Sequence, residues 1–214
     1  MEPDATAVIA DLQLARYMVT ERTNAYRLRL SGRTVSLVGG APSANMMQAQ
    51  RSAIIVHTND HASTHGGPCD VLYTSIGPTS RCRVPRWVNS NLATPESREW
   101  RLLTERLGCS WLPFTTERFK YSNPYSPDLE WCNTLGRRLG TMPLTGIVAM
   151  HHLLMQPLKL LYVTGFTFYR EDGIAPERRH SHALHPQEEY LYWLARNDSR
   201  VVLDETLQAN NPAL

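Results

Sequence analysis

The chain has 214 residues, 42% of them hydrophobic and 20% charged, with a formal net charge of +2. Such values describe one globular domain that can bury its own core, and they exclude a disordered, collagen-like or coiled-coil chain. No run approaches the ~18 apolar residues of a membrane span, and the start Met1-Glu2-Pro3-Asp4 is polar and acidic where a secretion signal is basic and then apolar, so a cytoplasmic protein with no membrane span is expected.

The charge is too small to imply nucleic acid by itself. Lys120 and Lys159 are the only lysines; every other cation is an arginine. Arginine suits bidentate phosphate contacts, and a GC-rich genome produces the same bias. Cys69, Cys82, Cys109 and Cys132 are scattered, with no zinc or redox spacing, which fits reduced thiols.

Residues 5–18 carry apolar positions at mostly helical spacing and predict an N-terminal amphipathic helix. Thr34-Val35-Ser36-Leu37-Val38 is a β-branched run that ends in Gly39-Gly40, the pattern of a buried strand entering a tight turn. Met46, Met47 and Gln48 look like the first turns of a helix. Ala53 to Val56 and Asp70 to Tyr73 predict a second and a third strand. Residues 95–107 predict a helix, with Pro95 near its start and Gly108 as its stop. Ser110 to Leu112 suits a short strand, and residues 114–128 a long surface loop. Leu129 to Leu139 predicts a helix stopped by Gly140. Pro143 to Met155 predicts a second, apolar on nearly all sides and therefore buried. Lys159 to Val163 predicts a strand ending at Gly165. Residues 170–182 are charged and irregular. Pro186 to Arg196 reads as a helix and Arg200 to Leu203 as the last strand.

Strands alternating with helices predict an α/β protein: a single Rossmann-like three-layer sandwich with a mostly parallel sheet, one domain over residues 1–214. In such folds ligands bind beyond the C-terminal ends of the strands. Four segments sit there. Gly39, Gly40 and Ser43 form a strand-to-helix turn whose glycines let a phosphate approach the backbone; a plain turn is an equal reading. His57, Thr58, Asn59, Asp60 and His61 crowd after the second strand, where Asn59 offers an amide to a ligand or forms an Asx turn. A metal held by His57, His61 and His65 is rejected, because Gly66-Gly67-Pro68 argues for loop rather than helix. Thr145 and Gly146 lie in the first turn of the buried helix, facing an anion or marking close packing. His180, His182 and His185 precede Pro186, with Glu188 and Glu189 behind them. An imidazole there suits a general base, and the acids also suit a plain helix start.

In this order and spacing, residues 35–43, 54–59 and 67–73 resemble the large motif of the sialyltransferase-type glycosyltransferases. The segment Pro143-Leu144-Thr145-Gly146-Ile147-Val148-Ala149-Met150, continued through Leu161-Tyr162-Val163-Thr164-Gly165-Phe166, resembles that family's small motif. His185 with Glu189 resembles its last, very short motif. The resemblance covers about residues 34–203. It departs at Gly40, where the family carries asparagine, and at Leu144, where a small hydroxyl residue is common.

The resemblance implies a nucleotide-sugar co-substrate, CMP-linked, transferred with inversion to a hydroxyl acceptor, with no metal and no other cofactor. It implies that Asn59 contacts the donor nucleotide, that Thr145 and Gly146 hold the CMP moiety, that His185 is the general base with Glu189 as its support, and that His180 or His182 assists the leaving phosphate. The acceptor is a saccharide or, in an alternative, a hydroxylated base in DNA, with Arg118, Phe119, Lys120, Tyr121 and Tyr125 as stacking and phosphate contacts. A further alternative is a binding module for nucleotide or nucleic acid that has lost catalysis.

Overall fold

The structure, a computed structural model, describes residues 24, 26–58, 68–75, 111–115, 129–168 and 184–209. After helical residues 26–30 the elements are β1 (Thr34–Val38), α1 (Met46–Ala49), β2 (Ile54–Thr58), β3 (Val71–Ser75), β4 (Trp111–Thr115), α2 (Leu129–Leu139), α3 (Thr145–Leu154), β5 (Leu160–Thr164), α4 (Leu184–Asn197), β6 (Val201–Leu203) and α5 (Glu205–Ala209). The expected helices over 5–18 and 95–107 lie outside the described residues.

The six strands form one sheet in the order β4-β3-β2-β1-β5-β6. Five are parallel; β4 alone runs antiparallel, at the edge beside β3. This is an α/β fold on a mostly parallel sheet. The central strands read as near-continuous apolar runs because both their faces are covered: β2 is buried at all five positions, and β1 and β5 at four each.

Alternation along each strand sends its side chains to opposite faces. Val35, Leu37, Ile54, Val56, Leu161 and Val163 pack with Leu135, Leu139, Ile147, Met150, Tyr190, Leu191 and Leu207 of helices α2 to α5. Val38, Ile55 and Tyr162 point the other way and pack with Ala49 of α1. No described helix is long and apolar enough to cross a membrane.

Two expectations shift. β2 continues through His57 and Thr58, both buried, so those residues belong to the strand and not to a polar loop after it. α1 is a single turn, too short to present the anion-attracting end expected after Gly39-Gly40. Polar fasteners hold the frame at its other end. The Asp70 carboxylate accepts the Ile55 N–H at 2.8 Å, anchoring the entry to β3 on β2. Arg200 donates to the Leu154 and Gln156 carbonyls at 2.8 and 3.0 Å and to the Asp198 carboxylate at 2.6 Å, closing the C-terminal end of α3.

Candidate functional site at the switch in strand order

From β1 the chain steps outward through β2 to β3 and later returns to the other side of β1 as β5 and β6. The loops after β1 and β5 therefore leave the sheet side by side, and ligands of open parallel sheets bind at such a switch. The two loops are joined backbone to backbone. Gly39 N–H donates to the Thr164 carbonyl at 2.8 Å, and Ala41 N–H to the Gly165 carbonyl at 3.1 Å. A Cβ on Gly39 would lie 2.2 Å from the Gly165 carbonyl oxygen, so only glycine fits. Gly165 itself has φ +74°, a conformation that favours glycine.

The Thr164 hydroxyl accepts from Asn45 N–H at 2.8 Å and donates to Asp204 Oδ2. The second carboxylate oxygen of Asp204 accepts Leu207 N–H at 2.8 Å and caps α5. Asn45 Oδ1 likewise accepts Gln48 N–H at 3.0 Å and caps α1. One polar chain, exposed at Asn45 and buried at Thr164 and Asp204, thus spans α1, β5 and α5 across the strand ends. Beside it, burial and the Asp204 charge both push the Tyr162 hydroxyl above its usual titration range.

Beyond Gly165 the chain presents Phe166, half-buried, and turns at Phe168, whose φ of 49° is the only positive value among described non-glycine residues. The Phe166 ring lies on the first turn of α3: a Cβ on Gly146 would sit 2.0 Å from Phe166 Cε1. A Cβ on Gly39 would meet the same ring at 3.1 Å. Gly39 and Gly146 are thus brought together around Phe166, and protein atoms fill the space their missing side chains leave.

No side chain caps α3; its N-cap residue is Leu144. The first helical bond runs from Val148 N–H to the Leu144 carbonyl at 3.0 Å, so the N–H groups of Thr145, Gly146 and Ile147 point out of the helix end. Thr145 is buried there. Leu144 N–H, one step earlier, donates to Gln187 Oε1 at 2.7 Å. Gln187 is wholly buried and belongs to the first turns of α4, so this bond sets the start of α4 beside the start of α3.

His185 and Glu189 are on α4 next to Gln187. His185 Nε2 is 3.3 Å from Glu189 Oε1, and both side chains are exposed, at 79% and 66%. α4 begins at Leu184, two residues before the expected start, which places His185 inside its first turn. Ser43 is exposed and Gly40 half-buried in the turn after β1. Asn59, His180 and His182 lie outside the described residues, as do residues 116–128 and 170–182. Among the described residues no cluster of His, Cys, Asp and Glu has the makings of a metal site.

Four residues of this end carry weight that the sequence reading did not assign: Thr164, Asp204, Phe166 and Gln187. A local signal existed for Asp204, an N-cap residue followed by Glu205 in the first turn of a helix. None existed for Gln187, whose partner is far away in the chain. No family model, no curated protein and no solved structure matches the chain.

Proposed function

We propose that the chain is an inverting, metal-independent glycosyltransferase built as a Rossmann-like three-layer sandwich, taking a sugar from a nucleotide donor, CMP-linked, to a hydroxyl acceptor. One observation supports this above others. The turn after β1, the loop after β5 and the start of α3 are tied together at one end of the sheet through Gly39–Gly165 and Gly146–Phe166, and Leu144–Gln187 joins the start of α4, the helix that carries His185, to the start of α3.

In this reading the outward N–H groups of Thr145, Gly146 and Ile147, at the positive end of a ten-residue helix, take the donor phosphate. Gly40 and Ser43, in the turn after β1, would approach the same phosphate. With its Nε2–H directed at Glu189, His185 keeps a lone pair on Nδ1. The acceptor hydroxyl gives its proton to Nδ1 as its oxygen bonds to the anomeric carbon. The bond from that carbon to the phosphate oxygen breaks on the opposite side, and CMP leaves with the electron pair. The end of α3 stabilises that charge as it develops.

Titration calorimetry with CMP, UDP, GDP and their sugars tests the donor. CMP is expected to bind, and no binding by any of the three rejects the reading. His185→Ala is expected to lower transfer by about 10²–10⁴-fold while CMP affinity stays within a few fold; unchanged turnover removes His185 from the role of base. Donor binding without transfer or hydrolysis would instead favour a binding module without catalysis.

A further inference from the structure

A second group of side chains lies where α2, α3 and α4 meet. Tyr190 and Trp193 are one turn apart on α4, with ring centroids 5.8 Å apart and planes within 12° of each other. The Arg138 guanidinium, from the last turn of α2, covers both rings, 5.1 Å from the Tyr190 centroid and 4.4 Å from that of Trp193. The Tyr190 hydroxyl is hydrogen-bonded to His151 Nδ1 of α3 at 2.5 Å, which fixes the ring. Tyr190 is buried, but Trp193 is 40% exposed.

The surroundings are basic. Arg137, Arg138 and Arg196 are all exposed. Arg196 follows Trp193 by three residues and is its neighbour on the helix surface. Arg137 donates to the Thr134 hydroxyl at 3.2 Å. Among the described residues none of the three arginines has a carboxylate partner. The acid nearest along the α4 stripe is Glu189, and it faces His185.

Stacking under Arg138 holds its guanidinium in place while leaving the N–H edges for an anion. A partly exposed indole flanked by Arg138 and Arg196, with Arg137 exposed next to Arg138 in the chain, therefore offers an aromatic surface and a spaced set of phosphate contacts together. We propose that this face binds single-stranded nucleic acid, the arginines taking backbone phosphates and the exposed part of Trp193 a base. A neutral saccharide would use the indole and leave the cations idle; an acidic peptide would use the cations and leave the indole idle. His185, Glu189 and Trp193 recur at intervals of four along α4, so they share one stripe, about 12 Å from end to end. A strand held at Trp193 passes toward the candidate base, although the binding itself does not depend on the transferase reading.

Fluorescence anisotropy of the full chain with a short labelled oligothymidylate, over a series of salt concentrations, tests this. Binding is expected to weaken steadily with salt. Trp193→Ala is expected to weaken it about tenfold. Arg138→Gln and Arg196→Gln are each expected to reduce the slope of log affinity against log salt by about 0.7. Arg196 is an exposed helix residue, so its variant remains informative if Arg138→Gln disturbs the fold. No binding at the lowest salt overturns the proposal, as does binding unmoved by Trp193→Ala and Arg196→Gln. Displacement of the oligonucleotide by polyglutamate at equal charge overturns it in favour of an acidic protein partner.

Discussion

His152 stands in the core between two tyrosines. Its Nδ1 is 2.7 Å from the Tyr73 hydroxyl, which is 3.1 Å from that of Tyr26, and the Tyr26 ring stacks on the imidazole with centroids 6.0 Å apart. Burial pushes the imidazole down to about 3 and both phenols above their usual range. All three groups are therefore neutral in the fold at physiological pH, and their hydrogen bonds satisfy one another. The unfolded chain takes up a proton at this histidine near pH ~6.5 that the folded chain refuses until about 3. Stability contributed here is complete above the unfolded value and is lost as the pH falls through the window, at about 1.4 kcal/mol per pH unit for one proton. Urea denaturation between pH 5 and 6.5 (a range above most carboxylate titration) is expected to show a shallower pH dependence for His152→Gln than for the wild type. Equal slopes would deny His152 this role.

Gly39 and Gly146 make a second prediction at this scale. A methyl on Gly39 meets a backbone carbonyl at 2.2 Å, whereas one on Gly146 meets the end of a side chain at 2.0 Å. Backbone cannot turn aside as a ring can. Gly39→Ala is expected to destabilise by about 1–3 kcal/mol or more, and Gly146→Ala by less, with Phe166 displaced. Thermal denaturation of the two variants checks the order.

Among the elements, the link between α3 and α4 rests on the Leu144–Gln187 bond. Gln187→Ala leaves the Leu144 N–H without its acceptor, at an expected cost of about 1–3 kcal/mol. Because the bond also anchors the helix that carries His185, the proposed reading predicts a larger loss of turnover in this variant than of stability. A variant that unfolds earlier yet turns over normally at low temperature would separate the bond from the site.

Element identity was legible where local chemistry decides it. The runs at β1, β2, β3, β5 and β6 are β-branched and apolar between turn residues, and α3 is apolar all round because it is buried on nearly every side. β4 is half legible: the sequence predicts a strand over Trp111 and Leu112 and a loop from residue 114, whereas Phe114 and Thr115 complete its pairing with β3. Pro113 within it points to an edge, where the strand in fact lies. The α5 turn was missed. Illegible in the sequence were the contacts that make a site of these elements. Gly39 meeting Gly165, Gly146 under Phe166 and Leu144 on Gln187 are contacts between segments far apart in the chain, and nothing near any one of these residues encodes its partner.

At the scale of the whole molecule, the strand order places the turn after β1 and the loop after β5 at one end of the sheet, and the fasteners from Asp70 and Arg200 lie at the other. Ligand binding to the folded form alone should appear as added stability. CMP at about a hundred times its dissociation constant is expected to add about 2.7 kcal/mol, a rise in Tm of about 5–10 °C for a chain of this size. Scanning with CMP, UDP and GDP in parallel checks both the donor site and its base preference; equal shifts for all three would reject a cytidine-specific pocket.

Among the described strands β1, at the middle of the sheet, is made first, yet its partner on one side, β5, follows only after β2, β3, β4, α2 and α3. A nascent chain must carry Val35 and Leu37 with one flank unzipped until Leu160–Thr164 has been made, the condition in which strand edges recruit neighbours. Production of this protein should accordingly be sensitive to anything that stalls the ribosome before residue 160, and halves expressed separately should recover only when both are present together.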